Sequence, residues 1–225
     1  MRERNFFFLW LVVLFGTVFV CGCGTDEKST KPTTSTTDGL TNRSWPSAGR
    51  PNQNYDPKHP TILIETSLGN IVVRLDAENA PLTVENFLSY VESKHYDQTI
   101  FHQVQKDYVI LGGSYTAEKL EKKTQTPVRN EAHNGLKNRR GSIAMARKPD
   151  AIDSATSQFF FNVNDNPQLD HISRTIQGYG YCVFGTVAEG IDVVDRISDV
   201  PVVDTKKFES IPAESVLIKS IRRVK

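Results

Sequence analysis

The chain has 225 residues, with 27 Lys and Arg against 26 Asp and Glu and a formal net charge of +1. That balance supplies neither the basic field that attracts nucleic acid nor the acidic excess of a disordered, solvating chain. A hydrophobic content of 38% with 24% charged residues suits a soluble globular fold, and the length allows one domain or two.

A short basic start, Arg2 to Arg4, precedes an apolar run from Phe6 to Val20 interrupted only by Gly16 and Thr17. A spanning helix needs ~20 apolar residues, and this run is shorter. Its layout is that of a signal peptide. The run ends at Cys21, Gly22 and Cys23, where small Gly22 precedes Cys23 and bulky Val20 precedes Cys21. This resembles a bacterial lipobox. It predicts removal of residues 1–22 and a diacylglyceryl thioether on the Cys23 sulfur. Ordinary signal cleavage and an uncleaved anchor are the alternatives, but no A-x-A-like site follows the run. Acyl chains contribute ~0.8 kcal/mol per buried CH₂, so a multiply acylated Cys23 would hold the protein on a bacterial membrane of the cell envelope, facing the periplasm or the exterior. Cleavage removes two basic residues and one acidic residue, leaving 25 of each and no net charge. It also leaves Cys182 without a partner for an intrachain disulfide, so a buried structural thiol is expected there.

Residues 23–59 are rich in Ser, Thr, Lys, Asn, Gly and Pro, a composition that buries too little surface to offset its ordering entropy. They read as a flexible tether with a reach of ~30–35 Å. A domain is expected over residues 60–225. Ile62 and Ile64 alternate with Leu63 and Glu65, and Ile71, Val73 and Leu75 alternate with Val72 and Arg74, on either side of Gly69-Asn70: an antiparallel hairpin. Val84, Phe87, Leu88 and Val91 recur at helical spacing behind Pro81, which suits a first turn. Short strands are predicted over 99–104, 108–111, 141–146, 158–162, 181–187 and 216–224. A second helix over 191–197 would put Ile191, Val194 and Ile197 on one side. Many short strands with two helices predict a mostly β fold, a closed antiparallel β-barrel with helices over its ends. A monomer is the default, and no cofactor or metal is expected, because the five His residues show no ligand spacing.

Four segments occur in order: FHQVQKDYVILGG at 101–113, RGSIAMA at 140–146, SATSQFFF at 154–161 and YCVFGTV at 181–187. In sequence and spacing they resemble cyclophilins, the peptidyl-prolyl cis-trans isomerases. NEAHNG at 130–135 and LDH at 169–171 look like the bacterial periplasmic branch. The resemblance covers residues 60–225. It implies an eight-stranded antiparallel β-barrel capped by two α-helices, acting on proline-containing polypeptides and needing no cofactor. An X–Pro bond isomerises slowly because its C–N bond has partial double-bond character. Its catalyst needs a dry pocket for the proline ring and donors that favour the twisted amide.

By resemblance the proline pocket is Tyr108, Val109, Phe160 and Leu169, with Phe101 beside it. The pattern alone would assign all of these to core. Gln158 matches a groove glutamine that binds substrate backbone, and Ala146 the residue whose backbone meets the peptide. Arg147 could reach the rim or be a solvated surface Arg. Tyr181 stands where many members carry His, and core is its plain alternative. His102 resembles a packed structural His. The catalytic Arg of the family is replaced by Gln103, a neutral donor with fewer hydrogens. Leu111 replaces a Gln that commonly supports that Arg. The resemblance therefore implies catalytic roles for Gln103, Gln158 and Phe160 with reduced turnover. A proline-peptide-binding chaperone with little activity is the second reading. Gln168 stands where cyclosporin-sensitive members carry Trp, which predicts weak binding of that drug.

Overall fold

A computed structural model describes residues 56–224. The expected signal peptide, Cys23 and the tether up to residue 55 lie outside them. The strands are β1 (Thr61–Thr66), β2 (Gly69–Leu75), β3 (Thr99–Gln105), β4 (Val109–Thr116), β5 (Ser142–Met145), β6 (Phe159–Asn162), β7 (Val183–Glu189), β8 (Val202–Val203), β9 (Ile211–Pro212) and β10 (Val216–Arg223). Helix α1 (Pro81–Glu92) follows β2, and α2 (Ile191–Ser198) follows β7. Eight strands close a barrel in the order β1-β10-β3-β4-β6-β5-β7-β2, every pair antiparallel. Closure removes the sheet edges that would otherwise expose unpaired backbone.

Period-two alternation sends Ile62, Ile64, Ile71, Val73 and Leu75 inward, where they join Phe101, Phe159, Phe161, Phe184, Ile218 and Ile221 in one core. Helix α1 begins at Pro81 and adds Phe87, whose ring meets Phe159 edge-on at 5.6 Å and Phe184 at 5.1 Å. No side chain of its own caps its first turn. The Glu131 carboxylate does so from afar, accepting from the Thr83 amide at 2.9 Å and the Thr83 hydroxyl at 2.7 Å. Helix α2 buries Val193, Val194 and Ile197, whereas Ile191 is exposed, so the expected face is turned by part of a helical turn.

Two other expectations change. The domain starts earlier than residue 60: the Ala77 amide donates to the Lys58 carbonyl at 2.8 Å, and Lys58 pairs with Glu78, so residues 56–59 lie along the barrel. Tyr181 and Cys182 precede β7 rather than forming it. Gly112 and Gly113 lie within β4 and mark a close approach. A Cβ at Gly112 would stand 2.9 Å from the Phe101 ring, and Gly113, at φ +91°, would meet the Ser157 carbonyl.

Candidate active site

Cross-strand partners point to the same face of a sheet. In register, Gln103 of β3 faces Leu111 of β4, Leu111 faces Phe160 of β6, Phe160 faces Ala144 of β5, and Ala144 faces Val183 of β7. This row crosses five strands on the barrel's outside. Leu111, Phe160, Ala144 and Val183 form an apolar cluster separate from the inner core. The neighbouring row, Phe101–Gly112–Phe159–Met145, faces inward. Alternation along Phe159, Phe160 and Phe161 therefore divides three identical residues between two environments.

Gln103 reaches the outer row through a β-bulge. Phe101 pairs with Gly112 and Gln103 with Leu111, so His102 is the extra residue. Both His102 and Gln103 then point outward. Gln103 is 7% exposed, and its amide makes no hydrogen bond to another described residue.

Half-buried side chains rim the floor. Val109, Leu136, Ala146, Leu169 and Tyr181 pack against it. The Tyr181 ring meets Phe160 edge-on at 5.6 Å. The Tyr181 amide donates to the Leu169 carbonyl at 2.9 Å, joining two walls. The Ala146 amide donates to the Gln158 carbonyl at 2.9 Å, which sets the Gln158 backbone beside the groove. Gln158 is half-buried, and its side chain makes no hydrogen bond among the described residues. Tyr108 is half-buried at the other end of β6, where the Val163 amide donates to its carbonyl at 2.9 Å. Burial pushes its phenol above the usual value, and the Gln168 amide beside it acts in the opposite sense.

The cyclophilin type peptidyl-prolyl cis-trans isomerase model matches residues 61–223. Peptidyl-prolyl cis-trans isomerase cyp18 of Streptomyces antibioticus is 49% identical over 72% of this chain and 97% of its own. Peptidyl-prolyl cis-trans isomerase B of Escherichia coli K12 is 44% identical over 71% of this chain and 97% of its own. A Cryptosporidium parvum cyclophilin type peptidyl-prolyl cis-trans isomerase, crystallised in the presence of the dipeptide Ala-Pro, superposes with a TM-score of 0.60 at 25% identity, over 73% of this chain and 99% of that one. The chain belongs to the cyclophilin family.

Within this cyclophilin the structure gathers Gln103, Gln158, Phe160, Val109, Ala146, Leu169 and Tyr181 on one outer face, with Tyr108 at its edge. Phe101 is a correction. It is 0% exposed, and its ring meets Phe159 inside the barrel at 6.3 Å, because it precedes the bulge that turns Gln103 outward. Arg147 is corrected in part. It is at the rim, but its guanidinium donates to the carbonyls of Gly180 at 3.0 Å, Ile176 at 2.7 Å and Lys148 at 3.0 Å, and it lies over the Tyr181 ring at 5.1 Å. It fastens a loop rather than presenting a free charge to the groove.

His102 packs between Tyr115 and Phe208 with ring centroids at 4.8 and 6.3 Å. Burial pushes its imidazole down to about 4, with the Ile100 backbone acting the other way, so it is neutral at neutral pH. Cys182 is buried against the Thr83 hydroxyl at 3.3 Å, and burial pushes its thiol up to about 12, which keeps it inert.

Two features escape the sequence. Leu136 joins the groove from the segment after the NEAHNG motif. A buried amide network also supports the walls. The Asn162 amide donates to Asn138 Oδ1 at 3.1 Å and to Ser142 Oγ at 2.9 Å, and Asn166 donates to Asn162 Oδ1 at 2.8 Å. Asn138 then donates to the Leu169 carbonyl at 3.1 Å, and Asn166 to the Tyr108 carbonyl at 3.1 Å. Asparagines spread over 29 positions carry no spacing signal for such a network.

Proposed function

We propose that this cyclophilin is a peptidyl-prolyl cis-trans isomerase of reduced turnover, acting on unfolded proteins outside the cytoplasm. The observation that carries this is the row from Gln103 to Val183: an apolar floor with an amide donor, unpaired among the described residues, at one end. A proline ring lying on Phe160 and Leu111 between Val109 and Leu169 leaves water. Rotation about the X–Pro bond removes its resonance, and the twisted nitrogen becomes an acceptor. The Gln103 amide, within a β-strand and largely buried, then donates to it with little reorganisation. Gln158 holds the substrate backbone at the far side of Phe160. No proton leaves, and no covalent bond forms.

A guanidinium in place of Gln103 would donate with charge, and charge-assisted bonds are roughly twice as strong as neutral ones. The deficit is ~1–3 kcal/mol in the transition state, or about 5- to 150-fold in rate. Leu111 fits the same reading: with no guanidinium to orient, its polar partner is replaced by an apolar neighbour on the floor. The second reading, a binding module with no useful catalysis, rests on these same two residues. Assay of the full chain in detergent on an X–Pro tetrapeptide separates the two. The isomerase reading expects a rate above the uncatalysed one that rises in Gln103→Arg. A wild-type rate equal to the uncatalysed one, with proline peptides still bound, selects the module.

The lipobox-like pattern at Cys23 supports the envelope assignment, and NEAHNG at 130–135 with LDH at 169–171 supports the bacterial periplasmic and lipoprotein branch. Cys23→Ser then moves the protein from the membrane to the soluble fraction. Unchanged membrane association would remove the lipid anchor from the proposal.

A further inference from the structure

Residues 170–180 leave the groove wall at Leu169 and return to it at Tyr181. Their base is closed by the contact of Gly180 with the Asp170 backbone, where even a Cβ would stand 2.6 Å from the Asp170 carbonyl carbon. His171 Nδ1 donates to the Tyr179 carbonyl at 2.9 Å, and the Ile172 and Ser173 amides donate to the Gly178 carbonyl at 2.8 and 2.9 Å. Arg147 adds the outside fastening at Ile176 and Gly180. Despite this ordering, the loop holds two isoleucines out to solvent: Ile172 is 76% exposed and Ile176 40%. Holding apolar side chains in a fixed, exposed position contributes nothing to the barrel core. Single exposed aliphatics are ordinary, but both of these stand on one tied loop that begins and ends at the groove wall.

We infer that this loop is a preformed lip that binds apolar side chains of an unfolded polypeptide whose proline occupies the groove. The inference rests on the isomerase reading and names its substrate class: extended, unfolded chains with aliphatic or aromatic residues near the proline. Continuity decides the occupant. The Ile176 carbonyl holds Arg147, Arg147 lies over Tyr181, and Tyr181 packs on Phe160, so lip and floor are linked through three successive contacts. A segment leaving the groove on this side meets the lip first. Because the loop is already ordered, docking costs little further conformational entropy. A tetrapeptide is too short to need the lip, whereas a protein chain extends over it.

The test uses the full chain in detergent, with Ile172→Ser and Ile176→Ser combined. Two substrates are compared: an X–Pro tetrapeptide, and an unfolded protein whose refolding is limited by proline isomerisation. Leu120→Ser serves as control, since Leu120 is 64% exposed on another loop. The expected result is a tetrapeptide kcat/KM within twofold of wild type. For the protein substrate, kcat/KM falls about five- to tenfold through KM, as partial burial of two isoleucines would give. A fall no larger than in Leu120→Ser, or an equal fall for both substrates, overturns the lip. If the wild type fails to accelerate the tetrapeptide, the isomerase reading falls. The lip is then judged by fluorescence anisotropy of the same unfolded protein: weaker binding to the double variant supports it, and equal affinity overturns it.

Discussion

Strands β3 and β4 carry two apolar surfaces on the outside of one barrel, and the chain treats them differently. Ile100, His102, Tyr115 and Leu217 are roofed by Phe208 and Ile211 from the segment around β9. Leu111 and Phe160, 7% and 4% exposed, are flanked instead by the half-buried walls Val109, Leu136, Ala146, Leu169 and Tyr181. The bulge at His102 divides the two: His102 goes under the roof, and Gln103 goes into the open groove. A barrel fills its interior with inward side chains, so every outward apolar residue needs other cover. One patch is covered by the fold itself. The other is the patch to which the proposed function assigns the proline ring.

Two truncations break this comparison most sharply. Phe208→Ala strips the roof and should destabilise the protein by about 3–4 kcal/mol, as aromatic-to-alanine core changes do, with tetrapeptide KM unchanged. Phe160→Ala strips the open floor. It should lower kcat/KM roughly 30- to 150-fold, from ~2–3 kcal/mol of lost contact with the proline ring. Denaturant melts and the isomerase assay on both variants give a crossed result. Equal effects of the two on activity would mean that the roofed and open patches are one site.

The roofed side also carries the pH sensitivity. His102 is neutral in the fold with its pKa pushed down to about 4, against 6.5 for a free imidazole. Between those values the unfolded chain binds the extra proton. Stability is therefore full above pH 6.5 and falls as pH drops towards 4, by about 3 kcal/mol if His102 acts alone. Denaturant midpoints measured between pH 7 and 4 should show this slope, and His102→Phe should flatten it. An equal slope in that variant would assign the sensitivity elsewhere.

How much of this was legible beforehand differs between the two patches. The barrel and both helices followed from alternation and helical spacing, because inward and outward residues differ in chemistry along β1 and β2. Along Phe159, Phe160 and Phe161 they do not differ, and pattern alone assigns Phe160 to the core. Resemblance reversed that for Phe160, and the register agrees. The same resemblance misassigned Phe101, because nothing in FHQ marks the bulge that separates its side chain from Gln103. The roof was invisible. The strands β8 and β9 are two residues each, too short for periodicity, and Phe208 meets His102 across more than a hundred residues.

The wall network lets the open side be disturbed without touching its floor. Asn162 is fully buried and gives hydrogen bonds to Asn138 and Ser142 while accepting one from Asn166. Asn162→Ala removes these three bonds, including the side-chain donor to Asn138 Oδ1, and should cost about 2 kcal/mol of stability. Its second effect is the diagnostic one. Asn138 and Asn166 hold Leu169 and Tyr108, so loosening them should raise KM for the tetrapeptide while kcat changes less, because Gln103 sits on the far side of the row. A change confined to stability would show that backbone pairing alone fixes the walls.

The smallest effect concerns what the open face lacks. Gln168 is exposed on the turn before Leu169, with its amide donating to Asn166 Oδ1 at 3.3 Å and lying beside Tyr108. In cyclosporin-sensitive cyclophilins the matching residue is Trp. Gln168→Trp adds a flat apolar surface and an indole N–H at the rim without entering the floor. It should tighten cyclosporin binding by about tenfold, the equivalent of ~1.4 kcal/mol from the added contact area, and leave tetrapeptide kcat unchanged. Titration calorimetry reads the affinity directly. Tight binding already present in the wild type would mean that the groove grips large apolar ligands without an aromatic rim, and that the floor and Leu169 alone define the open patch.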